Sequence, residues 1–221
     1  MNSSAEAELF GVLRQQMVDR DLRGRGIADE RVLQAMARVP REAFVPQQYR
    51  IHAYEDRPLP IGEGQTISQP YMVAIMLQAL ALQPEDNVLE VGTGSGYVTA
   101  LLAELSAQVV SLERSATMAA EAVRVLEEHG YKNVNVIVGD GREGFPASAP
   151  FDAILVSAAT VAVPQALLSQ LREEIGRMVI PIGPAESQQL QLIRMIGGRP
   201  IVTACGACRF VPLVPGVSNP D

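Results

Sequence analysis

From residue 86 to residue 182, short apolar runs alternate with helical stretches of about a dozen residues, and this alternation restricts the fold more than any other feature. Short apolar runs predict buried strands, and longer stretches with apolar residues at helical spacing predict helices. Strands are expected at 88–91, 109–112, 134–138, 153–156 and 178–181, and helices at 97–105, 116–128 and 163–171. Such alternation builds a doubly wound, mostly parallel α/β sheet that is covered on both faces.

The two ends of the chain depart from this alternation. No helix separates the runs 190–196 and 201–214, so antiparallel strands are expected after the parallel ones. Helices are expected at 5–22, from the N-cap Asp29 to Pro40, and from Pro70 onward. Residues 40–69 are rich in Pro and Gly and lack periodicity, which predicts a long functional loop. We therefore expect one domain over residues 1–221, with residues 1–85 as a helical and loop addition and residues 86–221 as the sheet.

Composition limits the class of protein. The chain has 221 residues, 48% of them apolar, which is enough for a full hydrophobic core. Its 25 acidic and 18 basic residues leave a net charge of −7, which argues against a nucleic-acid partner because duplex binders carry clustered Lys and Arg. No uninterrupted apolar window is long enough to span a bilayer, so no membrane partner is expected. The N-terminus has no basic run ahead of an apolar stretch, and we expect a cytoplasmic protein that works as a monomer.

A glycine-rich turn follows the first strand of the predicted sheet. Gly92-Thr93-Gly94-Ser95-Gly96 lies where open α/β sheets bind nucleotides, between a strand and the helix after it. A dinucleotide site would need a third glycine at position 97, which is Tyr97, and no Walker-type phosphate loop is present. Because an acidic residue, Glu90, precedes the glycines, the pattern indicates S-adenosylmethionine as the cofactor.

Two further carboxylates stand at the ends of the next strands. Glu113 ends the second strand, where an acidic side chain can accept hydrogen bonds from both hydroxyls of a ribose. Asp140 lies just past the third strand, where an acceptor could meet the adenine amino group. Three acids and a glycine loop at successive strand ends support the same cofactor.

Several segments resemble protein-L-isoaspartate O-methyltransferases of the bacterial type, and the resemblance covers nearly the whole chain. The segments 39–46 and 65–70 are specific to that family, whereas the glycine loop is shared with most methyltransferases. The matching segments are 25–27, 39–46, 54–62, 65–70, 88–97, 139–141, 149–154, 181–183 and 209–214.

The resemblance implies a reaction and a set of site residues. It implies methyl transfer from S-adenosylmethionine, which leaves S-adenosylhomocysteine, to the α-carboxylate of L-isoaspartyl residues in damaged proteins and peptides. The ester then closes to a succinimide that partly reopens to aspartate. Ser68 is implied as the catalytic residue, on the substrate-side addition formed by residues 1–85. The implied cofactor contacts are Gln65, Thr66, Ile67, Ser68, Glu90, Gly92, Gly94, Glu113, Arg114, Asp140, Gly141 and Val214.

The residue types agree with this chemistry. An α-carboxyl group has a pKa of about 3.3–3.7, so it is ionised at neutral pH and needs no general base. The histidines, His52 and His129, both lie outside the cofactor motifs. Positioning must then carry the rate, and the Ser68 hydroxyl can donate a hydrogen bond that orients the carboxylate. Alternatively, Ser68 caps the helix that begins at Pro70.

Other functions remain open at the level of the sequence. A small-molecule methyltransferase of the same fold is the main alternative, because the glycine loop does not distinguish substrates. A nucleic-acid methyltransferase is disfavoured by the acidic balance and by Gln69, which interrupts the motif of amino-methylating enzymes. Cys205 and Cys208 form a lone C-x-x-C in a predicted strand, with no second ligand pair for zinc. We therefore expect reduced core thiols and no metal site.

Overall fold

The computed structural model describes residues 3–218, with side chains from residue 5. Its N-terminal part is helical, and a seven-stranded sheet with flanking helices follows. The α-helices are α1 Ser3–Gln16, α2 Glu30–Arg38, α3 Pro70–Leu80, α4 Tyr97–Leu105, α5 Ala116–Glu128 and α6 Gln165–Leu168. The strands are β1 Leu59–Gly62, β2 Gln65–Ile67, β3 Asn87–Val91, β4 Gln108–Glu113, β5 Val134–Val138, β6 Ala153–Val156, β7 Arg177–Ile182, β8 Gln188–Ile196 and β9 Arg199–Cys208.

The N-terminal helices begin and end largely where the sequence predicts. Asp29 caps α2, because its side chain accepts hydrogen bonds from the amides of Arg31 and Val32 at 2.9 and 3.3 Å. The single helix expected at 5–22 is wrong in its second half. The α-helix ends at Gln16, a π-helical turn follows over Met17–Leu22, and a short 3₁₀ turn carries the chain onward.

The long loop expected at 40–69 is also wrong in part. Two 3₁₀ turns, Arg41–Phe44 and Gln47–His52, and the antiparallel hairpin of β1 and β2 lie within it. Glu63 and Gly64 connect the hairpin strands with φ of 47° and 69°. Positive φ at both central residues is the conformation that favours tight hairpins, and Glu is a rare residue there. The hairpin therefore has a weak sequence signal.

The main sheet has the strand order β5-β4-β3-β6-β7-β8-β9, in which β8 and β9 are antiparallel and the other five strands are parallel. The predicted fold class is confirmed. Two element lengths are corrected. The helix expected at 163–171 shrinks to α6, because Leu171 bridges to Phe151 instead. The strand expected at 201–214 ends at Cys208, and the residues after it cross to the carboxyl end of β6, where the amide of Leu213 donates to the carbonyl of Ala159.

The strand order determines where a ligand can bind. β4 lies on one side of β3 and β6 on the other, so a crevice opens at the carboxyl ends of these strands. One apolar core fills the space between the sheet and the N-terminal helices, and a second lies on the opposite face. The central strands β3, β6 and β7 are buried on both faces, which is why they appear in the sequence as apolar runs, whereas the edge strand β5 is partly exposed. The division of the chain at residue 86 stays a prediction.

Candidate active site

The glycine loop begins directly at the end of β3. The amide of Gly92 donates to the carbonyl of Leu112 on the neighbouring strand at 2.8 Å, which holds the loop against β4. Gly92 and Gly94 have φ of 94° and 54°, a region that residues with a Cβ rarely adopt. Gly96, also at positive φ, is the N-cap of α4. The loop conformation therefore depends on glycine, and it keeps the backbone close to the crevice.

Glu90 lies beneath this loop and not on the wall of the crevice. Its side chain is fully buried, and Oε2 accepts hydrogen bonds from the hydroxyls of Thr99 and Ser111, both at 2.5 Å. Burial raises the pKa of Glu90 to about 8, although the two hydroxyl donors act in the opposite direction. The direct cofactor contact implied for Glu90 is not the arrangement seen. The residue instead joins β3, β4 and α4 under the loop.

Glu113 faces the crevice from the end of β4. Its Oε2 accepts from the amide of Gly94 at 2.9 Å, and its Oε1 accepts from the amide of Ser115 at 3.0 Å. Each carboxylate oxygen has further acceptor capacity beyond one bond. The orientation is therefore fixed by backbone groups, and both oxygens can still accept from a pair of adjacent hydroxyls.

Seven of the twelve expected cofactor contacts line one cleft at the carboxyl ends of β3, β4 and β6. The cleft opens to solvent, and its empty volume including the open mouth is about 730 Å³. These seven residues are Gln65, Gly92, Gly94, Glu113, Arg114, Gly141 and Val214. Gly141 needs its missing side chain, because a Cβ there would lie 2.3 Å from Cγ1 of Val91.

Asp140 lies beside this cleft, where its carboxylate holds the C-terminal segment. Oδ2 accepts from the amide of Gly216 at 2.7 Å and from Nη2 of Arg142 at 2.9 Å. The side chain of Arg142, together with the backbone amides of Gly216 and Arg142, lowers the pKa of Asp140 to about 2. The amide of Ser218 also bonds the carbonyl of Arg114, at 2.9 Å, so the segment crosses the edge of the cleft. The carboxylate of Asp140 therefore holds Gly216 at the edge of the cleft, and the expected adenine contact stays a prediction.

Ser68 lines a second cleft, together with Thr66, Cys208 and Arg209. Val211 borders both clefts, so the serine side and the cofactor side adjoin there. Ile67, between the two polar residues, is 4% exposed and belongs to the core. Its expected cofactor contact is therefore not supported by its position.

The structure distinguishes the two roles proposed for Ser68. Gln69, not Ser68, is the N-cap of α3, and it makes no capping bond through its side chain. The amide of Tyr71 in the first turn instead donates to Oδ1 of Asp56 at 2.9 Å. Within residues 3–218, the Ser68 hydroxyl is not engaged in a hydrogen bond to the protein. Asp56 therefore caps α3, and the hydroxyl of Ser68 is available to a ligand.

A family model described as Protein-L-isoaspartate(D-aspartate) O-methyltransferase (PCMT) matches residues 13–218. The chain belongs to this family. It is 54% identical over 214 residues to the protein-L-isoaspartate O-methyltransferase of Koribacter versatilis, covering 97% of this chain and 96% of that one. The corresponding protein of Methanoculleus marisnigri is 52% identical, with 91% of each chain covered. The resemblance stated from the sequence is confirmed.

Solved structures of the isoaspartate methyltransferase family have the same fold. A β-aspartate methyltransferase (PCMT) from Plasmodium falciparum, solved in complex with S-adenosyl-L-homocysteine, superposes with a TM-score of 0.79 at 27% identity. The match covers 91% of this chain and 98% of that chain. A second protein-L-isoaspartate O-methyltransferase structure also reaches a TM-score of 0.79 at 28% identity, covering 97% of this chain and 67% of the other.

Sequence reasoning missed part of the lining of the cofactor cleft of this isoaspartate methyltransferase family member. Glu63 of the hairpin turn, Ser157 after β6 and Met118 of α5 face it. The carboxyl ends of parallel strands meet at one edge of the sheet, so the position of Ser157 could have been predicted in the same way as that of Glu113. The position of Glu63 depends on tertiary packing that no local pattern shows.

The remaining candidates lie outside the two clefts or contribute no metal site. His52 is at the surface beside Glu55, and His129 packs against Phe44. Cys205 and Cys208 are half-buried on β9, which corrects the expectation of core thiols, and burial raises the pKa of Cys208 to about 11. Residues 3–218 contain no cluster of three metal-ligating side chains. None of the helices in that range has the length and apolarity needed to cross a bilayer.

Proposed function

We propose that this chain transfers the methyl group of S-adenosylmethionine to the α-carboxylate of L-isoaspartyl residues in proteins and peptides. Membership of the isoaspartate methyltransferase family over residues 13–218, at more than half identity to named relatives, carries the proposal. The ester then closes to a succinimide, from which part of the material returns to aspartate. Repair of damaged protein follows from that cycle.

The residues of the first cleft fit the cofactor. The carboxylate of Glu113 is held by two backbone amides, so it is preorganised to accept from both hydroxyls of a ribose. Gly92 and Gly94 allow the backbone to approach a ligand closely. Gln65, Arg114, Gly141 and Val214 complete this proposed set of cofactor contacts. When bound, the cofactor supplies an electrophilic methyl group on a sulfonium.

The second cleft fits the substrate side of the reaction. An α-carboxylate is already ionised at neutral pH, because its pKa is about 3.3–3.7. The protein therefore has to hold the carboxylate oxygen in line with the methyl carbon, and such orientation can lower a barrier by about 7–11 kcal/mol. We assign Ser68 the role of donating a hydrogen bond to the carboxylate, and Thr66 lines the same cleft. Val211 borders both clefts, which supports the proposal that the two reactants meet there.

Several further features stay predictions from the sequence. They are the monomeric state, the cytoplasmic location, and the absence of nucleic-acid and membrane partners. Direct cofactor contacts by Ile67 and Glu90 are not part of the proposal, because their side chains are buried in the protein. The adenine contact of Asp140 stays a prediction from the sequence.

Transfer of a radiolabelled methyl group tests the proposal. We expect label on a synthetic isoaspartyl peptide, released as methanol in mild base, because carboxyl methyl esters are base-labile. A peptide with normal aspartate at the same position serves as the control and should remain unlabelled. Labelling confined to RNA or to a metabolite fraction would instead support another methyltransferase class.

A further inference from the structure

The side chain of Arg41, in the first 3₁₀ turn, is fully buried without an acidic partner. Its exposed fraction is 0%, and no carboxylate in residues 3–218 forms an ion pair with it. A charge removed from water costs several kcal/mol unless its surroundings compensate. Burial accordingly lowers the pKa of Arg41 to about 10. Such a residue is retained at a cost in stability, which suggests that its position serves another purpose.

Arg41 contacts three separate segments of the chain. Its Nε donates to the carbonyl of Ala53 at 2.7 Å, and its Nη2 donates to the carbonyl of Ser68 at 2.8 Å. The guanidinium also lies over the ring of Tyr97, 4.9 Å from its centroid. Tyr97 is the first residue of α4 and follows the glycine loop directly. One side chain therefore joins the serine segment to the cofactor loop.

The contact between Arg41 and Tyr97 has two polar atoms without partners. Nη1 of Arg41 and the hydroxyl of Tyr97 are both buried, and neither has a partner in good hydrogen-bond geometry within residues 3–218, although the two side chains attract each other. An unpaired buried donor costs about 1–3 kcal/mol, so packing stability alone does not account for this pair of residues. The contact between Arg41 and Tyr97 therefore holds its neighbours in a fixed geometry at a cost in stability.

We propose that Arg41 is a positioning residue that fixes Ser68 relative to the cofactor cleft. The inference rests on the proposed function, in which the Ser68 hydroxyl orients the substrate carboxylate. Because Arg41 bonds the main-chain carbonyl of the same residue, it limits movement of the serine backbone and hence of the hydroxyl. In a reaction that depends on orientation, a displacement of about 1 Å can cost about 100-fold in rate.

The chemistry of the contact requires arginine. The planar guanidinium directs donors at two carbonyls while its face lies on an aromatic ring. A lysine ammonium is a point charge on a flexible stem, so it cannot reproduce the two bonds and the ring contact together. Arg41→Lys therefore keeps the positive charge and removes the geometry.

Turnover of an isoaspartyl peptide by Arg41→Lys is the first test. We expect kcat to fall about 10- to 100-fold, while the affinity for S-adenosylhomocysteine by calorimetry changes by less than about threefold, since Arg41 does not line the cofactor cleft. Arg177→Lys is the control, at an arginine that differs from Arg41 in also forming an ion pair, with Asp86. Arg177 also donates to backbone carbonyls, those of Leu80 and Asp152, but beside the C-terminal end of α3. The control should lower Tm and leave kcat unchanged where the protein is folded.

A double-mutant cycle with Ser68→Ala shows whether Arg41 acts through the serine. If it does, Arg41→Lys should change kcat by less than about twofold in the Ser68→Ala background, because coupled residues are not additive. Amide hydrogen exchange in residues 65–72 should accelerate in Arg41→Lys and not in Arg177→Lys. Additive effects on kcat, or wild-type kcat in Arg41→Lys, would overturn the inference. A failure of the proposed function appears instead in the wild-type protein, as absence of isoaspartyl methylation.

Discussion

Glu90 gives the structure a pH-dependent stability that can be measured directly. The carboxyl group is fully buried, receives two hydroxyl hydrogen bonds from Thr99 and Ser111, and has a pKa of about 8. Glu113 on the neighbouring strand raises that pKa further through its charge. In the unfolded chain the same group titrates near 4.5. Between these two values the folded protein therefore holds one proton more than the unfolded chain.

The sign of the effect follows from this difference. The stabilisation is fully present below about pH 4.5 and is lost as the pH rises through about 8. The slope for one proton is about 1.4 kcal/mol per pH unit. Over the whole window the contribution of Glu90 therefore reaches about 5 kcal/mol, and half the window already gives a measurable change.

Urea unfolding of wild type and Glu90→Gln tests this value. Glutamine keeps the size and an acceptor for Thr99 and Ser111 but does not ionise. Wild type should lose free energy of unfolding relative to the variant between about pH 5 and about pH 8, and all other titrating groups cancel in the difference. A difference that stays constant over this range would refute a buried, protonated Glu90. Glu90→Gln should also bind S-adenosylhomocysteine as wild type does, whereas weakened binding would indicate direct contact.

Four further variants address the two clefts, the cap of α3 and the cysteines. Ser68→Ala should lower kcat about 10- to 1000-fold with little change in unfolding free energy; Asp56→Ala should lower that free energy by about 1 kcal/mol because it removes the acceptor of the α3 cap. A Ser68→Ala variant with normal turnover would remove the serine from the catalytic group. Asp140→Ala should weaken S-adenosylhomocysteine binding by about 1.5–3 kcal/mol by calorimetry and accelerate exchange of the Gly216 amide, which loses its acceptor. Unchanged affinity and exchange would contradict both roles of Asp140. The double change Cys205→Ser with Cys208→Ser should leave turnover near wild type, because we expect no metal or catalytic role for these thiols. Loss of turnover or of bound zinc in the folded double variant would contradict that expectation.

The sequence predicted the centre of the sheet well because β3, β6 and β7 are buried on both faces. The run 153–156 and the helix 97–105 have the boundaries found in the structure, since continuous apolar runs and helical spacing are strong local signals. The hairpin around Glu63 was missed because its turn uses a residue that rarely adopts positive φ.

The residues of the candidate site were predictable only where the end of their own strand determines their position. Gly92 and Glu113 are set by the end of their own strands, and both line the cofactor cleft. The burial of Glu90 depends on hydroxyls from two other elements, and the engagement of Asp140 depends on a glycine 76 positions later. Arg41 likewise acquires its neighbours only through tertiary packing. Such long-range pairs leave no local pattern in the sequence.

Competition between two peptides in one vessel tests the proposed activity most directly. The peptides share one sequence, one with L-isoaspartate and the other with isotopically heavy L-aspartate at the same position. With S-adenosylmethionine present, we expect methyl ester on the isoaspartyl peptide alone, located on its α-carboxylate by fragmentation in the mass spectrometer. Equal methylation of both peptides, or methylation of neither, would contradict the assignment of isoaspartyl carboxylates as the substrate.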